Sequence, residues 1–412
     1  MPSDAPTRSV AVGHALNADS RVAARMAARD ARQQMPPNHQ PSWLLVFAGG
    51  QHEPDALLAG LREELGPLPV VGGCGAGLIS VAGASATGYE CGILLFSSAL
   101  EPTAILCVDG LDHDETDAGC RLGGRLRDLD LPPRAVVLLF YDSIRSAPPP
   151  VLHVGSRLLE GLYEGLRGHQ PLVIGAGTLA DVELSTSYVF DGQQAVRHSA
   201  VAVVLPPSIA ADHTIMHGCL PASDFLQITK IDGARVLELD GRPALSLVAE
   251  RLGLPRAALL ARQPLPSLTL GEKLGDRYAP FNDSQYVNRL VIALDPADEA
   301  LVLFEADFEV GSRVQLMSYE PDRMIESAAA QTQRLLATTD RDAVLCGIYI
   351  DCAGRSMAFS GMEEDESAPV RQQIGALCPF LGFYSGVEIA PFQGRARPLD
   401  WTGVLLLLSH RG

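Results

Sequence analysis

Two rhythms of apolar residues alternate along this chain. Residues 43–47, 135–141 and 343–350 are apolar runs without a polar break, as expected of strands covered on both faces. Between such runs lie stretches with helical spacing, the clearest being 54–65 with Leu57, Leu58, Leu61 and Leu65. Helices are also predicted over 17–34, with Asp19 or Ser20 as N-cap, and over 117–129, 240–252, 324–337 and 369–377. A further helix over 151–166 is expected to open on Pro148–Pro150, since proline suits a first helical turn. Further strands are read at 10–12, 89–96, 103–109 and 402–408, with a short one at 357–359. Four hairpins are expected: 89–96 with 103–109, 187–190 with 200–205 around Asp191-Gly192, 225–229 with 235–239 around Asp232-Gly233, and 287–293 with 300–304.

One phrase recurs. Residues 69–79 read P-V-V-G-G-C-G-A-G-L-I, 171–181 read P-L-V-I-G-A-G-T-L-A-D, and 379–391 read P-F-L-G-F-Y-S-G-V-E-I-A-P. Each follows a predicted helix and precedes an apolar strand. The order strand, helix, glycine phrase, strand thus occurs three times. This predicts an α/β protein of mixed sheets with hairpins, in two domains built from the repeated unit. Residues 1–42 are read as a tail, strand and helix, 43–217 as an N-terminal domain and 218–412 as a C-terminal domain. Residues 1–8 are expected to fray, and 253–276 to be loop-rich.

Composition narrows the function classes. The 412 residues are 47% hydrophobic and 20% charged, with a formal net charge of −17. That balance argues against nucleic-acid binding, which needs clustered Lys and Arg, and against docking on anionic lipid. None of the eight cysteines forms a C-x-x-C pair, so structural zinc and covalent haem attachment are not expected, and no metal ligands are assigned. There is no apolar core of signal-peptide type near the start, and the run 404–408 is far too short to span a membrane. These features predict a cytoplasmic protein.

Candidate chemistry centres on the third glycine phrase. Arg355 could hold a carboxylate with its fork and Glu388 an ammonium, together an amino-acid-like ligand. The plainer alternative is that the two residues pair with each other as a brace. Tyr384 and Ser385 are candidates to line the same pocket. Ser385 is displaced by one position from a Gly-x-Ser-x-Gly nucleophile elbow, so no hydrolase is expected. Cys352 is a reactive thiol if Arg355 lowers its pKa and a small buried hydrophobe otherwise; Cys74 poses the same choice. Gly72–Gly77 lacks the Gly-Lys-Ser/Thr ending of a nucleotide loop and reads as packing glycines. His213 and His217 sit on a strand-like segment. His153, on the predicted 151–166 helix, is the weak candidate for a haem ligand. The acidic run 363–366 reads as a solvated helix start.

The phrases in this order resemble the FIST family over about residues 43–409. The resemblance rests on 171–192, ending T-S-Y-V-F-D-G; on 228–244; on F-E-V-G-S-R-V-Q-L-M ending at Met317; and on D-C-A-G-R at 351–355 with G-F-Y-S-G-V-E-I at 382–389. Val387 stands where the family usually has glycine, with Gly386 one position earlier. The resemblance implies a non-catalytic sensor of a small molecule in bacterial signal transduction, with amino acids as suggested ligands. It implies output through a separate protein, such as a kinase or cyclic-dinucleotide enzyme. One branch of the family binds haem to sense nitric oxide, which makes haem the alternative.

Overall fold

The computed structural model describes residues 9–261, 268–318 and 320–411. The expected fraying of 1–8 and part of the 253–276 loop lie outside them. Its architecture is mixed α/β, with three six-stranded sheets, an eight-stranded sheet and a two-stranded ribbon.

Each six-stranded sheet is built on one copy of the repeated unit. Its heart is a parallel pair joined by a helix: Pro41–Ala48 with Val70–Cys74, Val136–Asp142 with Leu172–Thr178, and Val344–Cys352 with Phe380–Ser385. The connecting helices are Pro54–Leu65, Gly155–Leu166 and Ala368–Gly375. The unit's last strand runs antiparallel beside the first member of the pair: Glu90–Ser97, Ala200–Val204 or Gly403–His410. An outer strand flanks that in turn: Val10–Leu16, Ala104–Val108 or Ile209–Met216.

The sixfold strand count is completed by exchange. After each parallel pair the chain leaves its own sheet and adds a strand to another. Leu78–Ser80 of the first unit pairs with Phe380–Ser385 of the third. Val189–Gly192 of the second pairs with Val70–Cys74 of the first. Val387–Phe392 of the third pairs with Leu172–Thr178 of the second. The exchange is cyclic, so the sheets do not divide at any one point of the sequence. The three inner faces share one core, with Trp43, Leu45 and Phe47 from the first unit, Val136, Leu138 and Phe140 from the second, and Cys346, Ile348 and Ile350 from the third. Phe47 stacks on Phe383 with ring centroids 3.6 Å apart.

Helices cover the outer faces. Helix Ser20–Gln34 is capped by Asp19, whose carboxylate accepts from the Val22 amide at 2.9 Å, and buries five alanines against the first sheet. Helices Glu115–Arg127 and Gly155–Leu166 cross so closely that a Cβ on Gly161 would overlap the Thr116 carbonyl. The eight-stranded sheet is inserted in the third unit, between Ile209–Met216 and helix Pro321–Thr338, and contains the two expected hairpins, Leu226–Asp232 with Arg235–Leu239 and Tyr286–Asp295 with Ala300–Leu303.

Several local expectations are corrected. Ala104–Val108 pairs with Ala200–Val204, because Glu90–Ser97 already has a neighbour on each edge. Val189–Gly192 turns back onto Ala195–Val196, while Ala200–Val204 lies in another sheet. The helix expected from Pro148 begins at Gly155, and Val151–Leu152 instead pairs with Ile144–Ser146. Residues 357–360 are a helical turn rather than a strand.

Candidate ligand site at the seam of the third unit

The parallel register of Val344–Cys352 and Phe380–Ser385 sets Asp351 beside Tyr384 and Cys352 beside Ser385. One residue later the chain changes sheets. Gly386 is the pivot: its amide donates to the Gly177 carbonyl at 2.9 Å, and a Cβ there would lie 3.0 Å from Ser143 Oγ. Val387 then enters ordinary strand pairing opposite Gly177, so the strand runs unbroken through the position where the family usually has glycine. Glu388 follows, between Ala176 and Leu399 on the neighbouring strands.

This step folds a polar centre into the core. Ser385 Oγ lies 2.7 Å from Glu388 Oε1 and 3.1 Å from the Asp351 carbonyl. Ser385, Glu388 and Asp351 are all fully buried. Glu388 Oε2 and Asp351 Oδ2 have no partner at good hydrogen-bonding geometry among the described residues, although the Thr402 backbone also faces the Glu388 carboxyl and Glu366 the Asp351 carboxyl. Burial drives the Glu388 carboxyl well above the usual carboxylate range, against the Ser385 hydroxyl, which pulls it down. Burial, then the neighbouring charge of Glu366, does the same to Asp351.

Arg355 joins the centre as its internal counter-charge. Its fork grips Glu366, with Nε 2.9 Å from Oε1 and Nη2 on Oε2, while Nε lies 3.1 Å from Asp351 Oδ1. Nη1 faces the carbonyls of Met216, His217 and Trp401 at 3.2, 3.3 and 3.0 Å. The guanidinium therefore ties the end of Val344–Cys352 to three other segments. Its carboxylate partners are Glu366 and Asp351, not Glu388. Glu366 belongs to the run expected to be solvated; it is buried because the residues after the 357–360 turn fold it back over Arg355. Tyr384 is buried against Gly77 of the first unit.

Burial, then the charge of Glu388, pushes the Cys352 thiol well up, the opposite of an activated thiolate. Cys74 is likewise pushed up to about 12 by burial. The glycines around it serve packing: Gly72 has φ +112°, and a Cβ there would overlap the Val46 carbonyl.

The polar core continues beyond Glu388. Asp400 accepts from the Leu290 amide at 3.1 Å, lies 3.9 Å from Arg289, and is pushed up to about 6 by burial. Glu305 accepts from the Gly155 and Ser156 amides at 3.0 and 3.2 Å and from Ser156 Oγ at 2.9 Å. It thus caps helix Gly155–Leu166 from the inserted sheet's side, and burial, then Asp400, raises it to about 7. No local sequence signal pointed to Asp400 or Glu305.

The histidines lie elsewhere. His213 is in strand Ile209–Met216, and His217 is buried after it, with Nε2 3.1 Å from the Asp283 carbonyl and Nδ1 accepting from the Cys219 amide at 3.0 Å. They form no joint site. His153 precedes helix Gly155–Leu166 instead of riding on it. Its ring is buried, with Nδ1 3.3 Å from Glu115 Oε1 and Nε2 3.1 Å from His198 Nδ1. The ring is fully buried between Glu115 and His198, which leaves no open face for a haem.

The sequence matches the family models of the FIST N domain over residues 42–242 and the FIST C domain over 244–391. The chain belongs to the FIST family, whose domains generally serve as small-molecule sensory modules of signal transduction and are typically not catalytic. Among its relatives, an uncharacterized protein of Mycobacterium tuberculosis is 24% identical over 396 residues, covering 93% of this chain and 95% of that one. An uncharacterized protein of Mycobacterium bovis is 24% identical over 398 residues, covering 94% and 95%. Among solved structures, a chorismatase aligns over 98% of this chain and 100% of that one with a TM-score of 0.30 and 9% identity, a likeness that carries no argument. No helix among the described residues is long and apolar enough to cross a membrane.

Proposed function

We propose that this chain is a cytoplasmic sensor of a small amino-acid-like molecule, and that the third-unit seam is where the ligand binds. Glu388 receives the ligand's ammonium group, with Asp351 and Ser385 beside it. Tyr384 and Cys352 supply walls, and Arg355 holds Asp351 in place through its grip on Glu366. The observation that carries this reading is Glu388 itself, a fully buried carboxyl with one oxygen lacking a partner at good hydrogen-bonding geometry inside a signalling module. A cation entering there would compensate a charge that burial now opposes.

The seam is closed over these groups, so binding needs it to part. A ligand that favours the parted state shifts the population, and a separate signalling protein, a kinase or cyclic-dinucleotide enzyme, reads the change. Titration calorimetry of the full chain with a panel of amino acids and simple amines tests this. At least one should bind, with tenfold or greater loss in Glu388→Gln. Binding unaffected by that substitution, or no binding across the panel, overturns it. No observation favours the haem alternative, since His153 is enclosed by Glu115 and His198.

A further inference from the structure

The end of strand Val136–Asp142 carries a second arrangement, independent of the seam. Asp142, His153 and His198 direct one ligand atom each toward a common point, all within 4.8 Å of one another. Zinc bound tetrahedrally at about 2.0–2.1 Å separates neighbouring ligand atoms by roughly 3.3 Å. The distances bracket that value: His153 Nε2 to His198 Nδ1 is 3.1 Å, and His198 Nδ1 to Asp142 Oδ2 is 3.8 Å.

Each ligand is already oriented. Asp142 Oδ1 is held by the Ser187 hydroxyl and by the Ile144 amide at 3.2 Å, which aims Oδ2 at the histidines. The His198 amide donates to that Oδ2 at 2.6 Å, and Arg197 Nε lies 3.7 Å from it. The His153 amide donates to the Ser143 carbonyl at 2.9 Å. Glu115 faces His153 Nδ1, the carboxylate–histidine arrangement that fixes the ring and turns Nε2 toward His198 and the common point. His198 has φ +52°, a left-handed conformation that histidine and asparagine adopt more readily than most residues.

We propose that Asp142, His153 and His198 form a binding site for a divalent transition-metal ion, zinc in the first instance, with Glu115 positioning His153. Two imidazoles and one carboxylate suit a borderline cation and leave a coordination position open. His198, whose side chain is 29% exposed, provides the way in. An ion at the common point takes the place of the direct contact between His153 Nε2 and His198 Nδ1.

The test uses the full chain stripped of metal with a chelator. Zinc is titrated against a chromogenic competitor, and cobalt(II) is added separately to read coordination from its visible spectrum. One equivalent of zinc and an intense tetrahedral cobalt spectrum are expected. His198→Asn suits the left-handed backbone, so it should leave the fold intact and weaken zinc at least tenfold. Glu115→Gln should weaken it about 10–100-fold. His113→Ala, at a residue 88% exposed, should change nothing. Absence of stoichiometric binding, or full binding by a folded His198→Asn protein, overturns the proposal.

Discussion

Ser385 and Glu388 touch across the residue at which the chain passes from one sheet to another, with Ser385 Oγ 2.7 Å from Glu388 Oε1. The contact puts an ionisable group inside a core where ionisation is opposed. Glu388→Gln keeps the shape and removes the charge. It should stabilise the unliganded protein at pH 8 by about 1–3 kcal/mol and leave it nearly unchanged at pH 5, as read from urea denaturation. Equal effects at both pH values would show that ionisation of Glu388 is not what burial opposes.

The pH profile should slope the same way for the whole protein. Glu305 is raised from 4.5 to about 7 and Asp400 from 3.8 to about 6 by burial. A carboxyl with a raised folded-state pKa binds more protons folded than unfolded, so stability falls as pH rises from the unfolded value through the folded one. Each group therefore costs roughly 1.4 kcal/mol per pH unit between those limits. Thermal melts from pH 4.5 to 8 should decline, most steeply up to about 7; a flat or rising profile contradicts the assignment.

Arg355 is a brace whose loss strands two acids. Arg355→Ala leaves Glu366 and Asp351 buried without their counter-charge, an expected cost of about 3–5 kcal/mol in chemical denaturation. Removing Glu366 as well should cost much less than the two single losses summed, which a double-mutant cycle measures. Additive losses would mean the pair is not coupled.

Two glycines in adjoining helices should respond oppositely. Gly161→Ala drives a methyl into the Thr116 carbonyl at the helix crossing and should destabilise by about 3 kcal/mol or more. Gly124, in the facing helix, has open space for a Cβ, its nearest neighbour being Arg127 Nη2 at 3.9 Å. Gly124→Ala should stabilise by about 0.5–1 kcal/mol.

Thiol labelling should begin at Cys120, which is exposed, while Cys74 and Cys352 are buried and react only on unfolding. Rapid labelling of Cys352 in the native protein would restore it as a reactive thiol.

Local signals carried far. The leucine spacing of 54–65 and the Asp232-Gly233 turn both mark their elements, and the recurring glycine phrase marks the three parallel pairs. What was illegible depends on partners distant in sequence. Helix Gly155–Leu166 starts where Glu305, 150 residues on, supplies acceptors for its first amides, so its own prolines mislead. Glu366 looks solvated beside its acidic neighbours until Arg355 is seen beneath it. His153 and His198 are 45 residues apart and meet only because the ribbon of Ile144–Ser146 and Val151–Leu152 folds back beside the residues that lead into Ala200–Val204. Arg355 and Glu388 were both legible as buried chemistry, but which acid Arg355 holds was not.

The cyclic exchange also constrains how such a chain can be divided. The two FIST segments abut near residues 242–244, which looks like a place to cut. A cut there would strip Leu172–Thr178 of Val387–Phe392 and Phe380–Ser385 of Leu78–Ser80, leaving each fragment with a bare sheet edge. Neither segment is a finished part: each alone is an adhesive fragment, and only the two together make a sheet system without open seams.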